Sequence, residues 1–146
     1  MKYLLFSANE NVEKNINVNI NMNFLVIDGT QDKINFFSKF NNNSYHKSLK
    51  ASKNNNEKLS IELFDFFDEN SIKPSQLNNI FVNQGPGKFS GIRTSIAIAK
   101  ALSITNKLNL YGFNSSDLKD MRYENVFNLY EKGMLTKNLI NPVYSS

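Results

Sequence analysis

The order of hydrophobic and polar residues along the chain predicts five β-strands. Residues 24–27 form an uninterrupted apolar run, which is typical of a central strand that is covered on both faces. Residues 33–40 alternate between apolar and polar side chains, as a half-buried strand does, and a cluster of asparagines follows them. Further strands are predicted at 44–50, 80–82 and 108–113. The chain is therefore expected to contain a β-sheet with one strand at its centre.

Three other segments have the composition and periodicity of helices. The first is predicted over 57–69, with Asn54, Asn55 and Asn56 as candidates for its N-cap. The second begins near Gly91 and is rich in small side chains, and the third is predicted over 117–130. The apolar face of the first helix consists of Leu59, Leu63, Phe66 and Phe67, which recur at helical spacing. Because strands and helices are mixed along the chain, the expected fold class is α/β.

A loop rich in glycine joins the strand at 80–82 to the second helix. It contains Gly85, Pro86, Gly87, Phe89, Ser90, Gly91 and Arg93. Ser90 is predicted to cap the helix with its hydroxyl group. Such a loop either cradles a phosphate at the helix N-terminus or makes a tight turn that packs the helix on the sheet. The glycine spacing matches neither of the two common nucleotide-binding fingerprints, which favours the structural interpretation.

Composition narrows the choice of function. The 146 residues suit one domain, and 40% of them are hydrophobic, which is enough for a core at a mean hydropathy of -0.42. The absence of cysteine excludes disulfides, and a single histidine leaves no ligand cluster for a structural metal. With no leader pattern and no apolar window of membrane-spanning length, we expect a cytoplasmic protein.

The net charge of +4 and the pI near 9.2 raise the question of nucleic-acid binding. All but two of the seventeen basic residues are lysines, and they are scattered along the chain instead of forming a stripe. Lysine, asparagine, isoleucine and phenylalanine share A/T-rich codons, so the charge reflects the base composition of the gene. Direct contact with tRNA is therefore not predicted from charge.

The stretch from Gln84 to Leu102 resembles the signature of the TsaB (YeaZ) family, in which a G-P-G-S-F-T-G-[LV]-R segment precedes a helix of small residues. Ser90 replaces the family's threonine, and Lys88 replaces its usual serine. The residues that match are Gly85, Pro86, Gly87, Phe89, Gly91 and Arg93. The resemblance implies one ribonuclease-H-like lobe of the actin, hexokinase and Hsp70 type, with a mixed five-stranded sheet and helices on its faces. It places the chain in the glycoprotease-like superfamily.

The resemblance covers residues 23–118 and, weakly, 126–144. It implies that residues 1–22 are an N-terminal extension and that residues 23–146 form a single ribonuclease-H-like domain. The second lobe of the family is expected to be missing from this domain.

The function implied by the resemblance is that of a non-catalytic subunit. Members of the family dimerise with a TsaD-type catalytic paralogue, which acts with an ATPase subunit to transfer a threonylcarbamoyl group to adenosine 37 of tRNA. A homodimer is the other expected assembly, and contact with tRNA is expected to be indirect. The candidate interface residues on the two helices are Leu59, Ile61, Leu63, Phe64, Phe67, Thr94, Ser95, Ile96 and Ala99.

The turn Asp28-Gly29-Thr30 resembles the phosphate-binding turn of the actin-like group. The plain alternative is an Asp/Gly β-turn. The resemblance implies no cofactor held by this chain alone, and ATP would bind only at a site shared with the partner, through this turn and the loop Gly85–Gly87.

Catalytic interpretations receive little support from the residues. The only histidine, His46, lies in a predicted strand and near no serine motif, so a hydrolase triad is not predicted. We predict no catalytic residue and no metal ligand. Two alternatives stay open: a small ATP-dependent kinase-like enzyme of the same superfamily, which would bind ATP by itself, and a free-standing tRNA-binding module, whose affinity would depend steeply on salt.

Overall fold

A computed structural model of the chain describes residues 22–87, 90–138 and 140–145. The strands are β1 (Phe24–Asp28), β2 (Lys33–Phe40), β3 (Asn43–Lys50), β4 (Asn79–Asn83) and β5 (Asn109–Phe113). The helices are α1 (Lys53–Glu57), α2 (Leu59–Glu69), α3 (Gly91–Asn106) and α4 (Val126–Glu131), with single 3-10 turns at 74–76, 115–117, 119–121 and 123–125. None of the helices in these ranges is long and apolar enough to cross a membrane. The predicted N-terminal extension falls almost wholly outside the described residues.

The five strands form one mixed sheet in the order β3-β2-β1-β4-β5. The first three strands pair antiparallel, whereas β4 runs parallel to both β1 and β5. All five residues of β1 are buried, as expected for a run that is apolar on both faces. The predicted turn between β2 and β3 is formed by Asn41 and Asn42, whose φ values of 51° and 69° suit asparagine. The prediction of a mixed five-stranded sheet is confirmed.

Two hydrophobic layers cover the sheet. On one face Ile27, Phe36 and other alternate strand residues pack against the apolar sides of α2 and α3. On the opposite face Phe24, Val26 and Phe81 pack against the segment that runs from the end of β5 through α4. Side chains of β1 thus alternate between the two layers, as the twofold period of a strand requires.

The first helical segment starts earlier than predicted. Asn54, Asn55 and Asn56 do not cap a helix; they lie inside the short helix α1, and the cap is Ser52. Its hydroxyl oxygen accepts a hydrogen bond from the backbone N–H of Asn55 at 3.1 Å. Ser52 has the extended backbone conformation of an N-cap and satisfies a free N–H at the helix start. Asparagine is also a common N-cap residue, so the three asparagines drew the prediction away from Ser52.

The prediction of a continuous helix over 117–130 is wrong. Separate 3-10 turns occupy this stretch up to residue 125, and only α4 is α-helical. Asp120 and Met121 have φ values of 58° and 52°. A right-handed helix cannot continue through left-handed residues, so the apolar residues of this stretch do not share one helix face. Leu118 and Tyr123 instead reach the hydrophobic layer on the sheet from separate parts of the chain.

Candidate functional site

The parallel arrangement of β1, β4 and β5 brings three strand ends to the same edge of the sheet. Asp28 is the last residue of β1, Asn83 is the last residue of β4, and Ser115 follows the end of β5. In open α/β sheets this edge is where ligands bind. The predicted turn at Asp28 and the predicted glycine loop after β4 therefore lie at the same edge of the sheet.

The Asp28 side chain is fully buried, and both of its carboxylate oxygens accept hydrogen bonds from the chain itself. Oδ1 accepts from the backbone N–H of Thr30 at 2.9 Å and from the Thr30 hydroxyl at 2.6 Å. Oδ2 accepts from the Tyr123 hydroxyl at 2.7 Å. Asp28 therefore fastens the segment that carries Tyr123 to the central strand.

Asn83 joins the turn, the glycine loop and the end of β5. Its Oδ1 accepts from the backbone N–H of Gly85 at 2.9 Å. Its Nδ2 donates to the hydroxyls of Ser115 at 2.9 Å and Thr30 at 3.4 Å. Sequence reasoning missed Asn83, Ser115 and Tyr123. A polar residue at the end of the apolar run 80–82 is the one local signal that could have indicated Asn83.

The glycine loop is shaped by contacts within the chain. Gly85 has a φ of 124°, and a Cβ at this position would overlap the carbonyl oxygen of Val143. Gly87 is buried, and a Cβ there would overlap the carbonyl oxygen of Thr30, which would lie only 2.6 Å away. Pro86 and Arg93 are exposed, and Phe89 lies outside the described residues.

Ser90 does not cap helix α3 as predicted. Its φ of −62° and ψ of −16° are already helical, and its side chain makes no capping bond. Instead, the Ser90 hydroxyl oxygen accepts a hydrogen bond from Asn56 Nδ2 at 2.7 Å. A residue with helical dihedral angles cannot turn its hydroxyl back to the amides of the helix start, so Ser90 makes no cap. Its hydroxyl instead connects α3 to α1.

The candidate interface residues divide into two groups. Ile61 and Phe64 are 60% and 49% exposed, and Thr94 is half-buried. The others are buried within the chain, namely Leu59, Leu63, Phe67, Ser95, Ile96 and Ala99. The buried group packs the two helices onto the sheet, so an approaching partner would meet the exposed group first.

An apolar groove of about 200 Å³ lies between α2 and α3, beside the exposed Phe64. Its lining consists of Ser60, Leu63, Phe64, Ile98, Ala101, Leu102 and Thr105. The sequence indicated Leu63 and Phe64 as interface candidates and Ala101 as a small residue that a helix could approach, but it gave no indication of Ile98 and Thr105.

His46 lies on the exposed strand β3 and bonds to a neighbouring strand. Its Nε2 is 2.9 Å from Asn35 Oδ1, and the Ser48 hydroxyl donates to the same oxygen. The His46 ring also packs edge-on against Tyr123. The His46 ring nitrogen and the Ser48 hydroxyl both point to Asn35, and the His46 ring contacts Tyr123. These residues therefore have a structural role beside Tyr123.

Tyr123 makes the folding stability of the chain depend on pH in the alkaline range. Burial, followed by the negative charge of Asp28, raises the pKa of Tyr123 above its ordinary value. The neutral phenol is thus favoured in the folded chain, so this contribution to stability is complete below pH about 10 and is lost as the pH rises further.

We expect the Tyr123→Phe variant to lose stability less steeply in alkali than the native chain. Above pH about 10, the Tyr123 contribution should lower the free energy of unfolding by about 1.4 kcal/mol per pH unit. Urea unfolding of both chains between neutral and alkaline pH measures the difference between their slopes. Equal slopes would show that Tyr123 ionises as readily in the folded chain as in the unfolded one.

A family model and a curated relative match parts of this chain in sequence. The family model described as "TsaD: tRNA N6-adenosine threonylcarbamoyltransferase" matches residues 41–119, which is more than half of the chain. The chain belongs to this family. A curated relative, the tRNA threonylcarbamoyladenosine biosynthesis protein TsaB of Buchnera aphidicola subsp. Schizaphis graminum, is 46% identical over 44 residues. This match covers 30% of the chain and 21% of the relative.

Two solved structures from Pseudomonas aeruginosa share the fold. YeaZ has a TM-score of 0.59 and 19% identity, over 77% of this chain and 50% of that one. An uncharacterized protein with similarity to peptidase YeaZ has the same TM-score of 0.59 with 17% identity, over 64% and 43% of the two chains. The resemblance to TsaB (YeaZ) and the ribonuclease-H-like fold that it implied are confirmed.

The chain spans half or less of the length of each of these relatives. The division into an N-terminal extension and one domain without a second lobe stays a prediction.

Proposed function

We propose that this chain is a non-catalytic scaffold subunit in the biosynthesis of threonylcarbamoyladenosine in tRNA. In this role it dimerises with a TsaD-type paralogue, which transfers the threonylcarbamoyl group to adenosine 37 of tRNA. An ATPase subunit completes the complex, and tRNA contacts the partners instead of this chain. The name of the Buchnera relative and the family match support the pathway.

The observation that carries the scaffold role is the apolar surface of helices α2 and α3. Phe64 and Ile61 are large apolar side chains exposed on α2, and the groove beside Phe64 is lined almost wholly by carbon. Small residues on the α3 side, such as Ala101, allow a partner helix to approach closely. A helix pair from a paralogous subunit, with apolar side chains that fill the groove, is the occupant that this surface fits.

The sheet edge favours a structural role over catalysis. Asp28, the residue expected at a phosphate-binding turn, has both oxygens bonded to Thr30 and Tyr123. A catalytic carboxylate must reach a substrate or a metal ion, whereas this one is fully buried and accepts three hydrogen bonds from its own chain. Under the proposal, ATP binds only in the assembled complex.

A charge in the groove should prevent assembly with the paralogue. We expect Phe64→Glu to weaken the complex by about 2 kcal/mol, or roughly thirtyfold in Kd, because a carboxylate would be buried in an apolar contact. The matched control is Met134→Glu, which places the same charge on another exposed apolar residue, outside the groove. The measurement is co-purification of this chain with the TsaD-type paralogue, followed by size-exclusion chromatography with light scattering.

The possible outcomes separate the proposal from its alternatives. A one-to-one complex that survives Met134→Glu but not Phe64→Glu supports the scaffold role. Equal weakening by both variants, or no complex with the native chain, contradicts it. ATP binding by the isolated chain would favour a kinase-like enzyme, and salt-sensitive tRNA binding without the paralogue would favour a tRNA-binding module.

A further inference from the structure

The C-terminal segment of residues 140–145, here named the strap, lies along the glycine loop and forms backbone hydrogen bonds with it. The backbone N–H of Val143 donates to the Gln84 carbonyl oxygen at 2.7 Å, and that of Gly87 donates to the Val143 carbonyl oxygen at 3.2 Å. The N–H of Ser145 donates to the Gly87 carbonyl oxygen at 3.0 Å. The result is a parallel β-bridge between Gly87 and Tyr144. The strap therefore extends the hydrogen bonding of the sheet beyond β4.

The shape of the loop matches the backbone of the strap. A Cβ on Gly85 would overlap the carbonyl oxygen of Val143, so glycine is required at this position for the strap to approach. The Gln84 side chain completes the contact, since its Nε2 donates to the carbonyl oxygen of Asn141 at 3.1 Å. The need for glycine at position 85 is thus explained by the close approach of the strap backbone, and no bound phosphate is required to explain it.

The hydrogen bonds that join Gln84 and Gly87 to the strap are made to main-chain atoms of Asn141, Val143 and Ser145. The side chains of Val143 and Tyr144 are about half exposed, at 46% and 52%, whereas Ile140 is buried in the hydrophobic core on the α2 and α3 side of the sheet. Backbone pairing with one apolar anchor is the pattern by which sheets bind extended peptides, because main-chain bonds supply affinity and a pocket supplies selectivity.

We propose that the edge Gln84–Gly87 is a receptor for an extended peptide strand and that the strap is its occupant. The Gly87 amide, which a phosphate cradle would need, is used to bind the Val143 carbonyl. The receptor is filled in cis because a tethered strap acts at an effective concentration of about the millimolar range or higher. When the strap is released, the same edge takes the same peptide sequence in trans.

The test uses the full chain with Val143→Pro, which removes the N–H that donates to Gln84. The matched control is Val143→Ala, which keeps that N–H and changes only a half-exposed side chain. Hydrogen exchange of the Gly87 amide, measured by NMR, should become at least about tenfold faster in Val143→Pro and stay unchanged in Val143→Ala. Ser145→Pro, which removes the donor to the Gly87 carbonyl, is a second and milder variant.

Two probes are then added to the Val143→Pro chain. A synthetic peptide with the sequence of residues 140–145, at about 1 mM, should slow exchange of the Gly87 amide again, and the same peptide with proline for valine should not. ATP at the same concentration should leave the amide unprotected.

Several results would overturn the proposal. They are unchanged Gly87 exchange in both proline variants, no protection by the peptide, and protection by ATP, which would make the loop a phosphate cradle after all. Unfolding of both proline variants would also contradict it, because the strap would then be an inseparable part of the core.

Discussion

The Asp28→Ala variant is expected to lose about 3–5 kcal/mol of folding stability, the largest effect predicted for this chain. The substitution removes both carboxylate oxygens from a fully buried position. The Tyr123 hydroxyl, the Thr30 hydroxyl and the Thr30 amide then lose their acceptor. Each donor that stays buried without a partner costs about 1–3 kcal/mol, and alanine also leaves a small void beside them.

Urea unfolding followed by circular dichroism measures this loss, and two variants divide it into parts. Tyr123→Phe removes one donor and should cost about 1–2 kcal/mol. Asp28→Asn keeps one carbonyl oxygen for Thr30 but turns an amide toward the tyrosine, so it should fall between the other two. If Asp28→Ala costs less stability than Tyr123→Phe, Asp28 is not the group that holds the segment carrying Tyr123 against β1.

Much of the fold could be predicted from the sequence because its signals are local. The uninterrupted apolar run at 24–27 indicated a central strand, and β1 is buried throughout. The spacing of Leu59, Leu63, Phe66 and Phe67 predicted the buried face of α2, while Ile61 and Phe64, which lie off that stripe, are exposed. Each of these features depends on the period of one element and not on its neighbours.

The candidate site was predictable only in its location. The turn at Asp28 and the glycine loop were recognised from short motifs, but their partners lie far along the chain. Tyr123 is 95 residues from Asp28, and Gln84 is 57 residues from Asn141. A hydrogen bond between distant residues leaves no periodic signal in either segment, so the polar groups expected to bind a ligand gave no sign that the chain itself occupies them.

The misplaced helix ends have a related cause. Ser90 precedes a helix and has the right chemistry for a cap, yet Asn56 on α1 takes its hydroxyl. Residues 117–130 have the apolar pattern of a helix, yet Asp120 and Met121 adopt left-handed dihedral angles that divide it into turns. Tertiary contacts outweigh local preference here because each preference is worth only a fraction of a kcal/mol to about 1 kcal/mol.

The second large effect is expected at Gly29, in the turn that follows β1. A Cβ at this position would overlap the carbonyl oxygen of Gly91 and the hydroxyl of Ser95, both on the first turns of α3. The backbone of a packed helix cannot yield without sliding along the sheet, so Gly29→Ala should cost about 2–4 kcal/mol. The same urea unfolding experiment measures this loss.

Two further variants test whether the cost comes from this close approach. Gly133→Ala has open space around the new Cβ, and its φ of 68° should cost only about 1 kcal/mol. Adding Ser95→Ala to Gly29→Ala removes the hydroxyl but leaves the Gly91 carbonyl in the way, so it should restore only part of the loss. Full recovery would place the clash on a side chain alone. The turn would then tolerate alanine, and the close approach of α3 to β1 would not require Gly29.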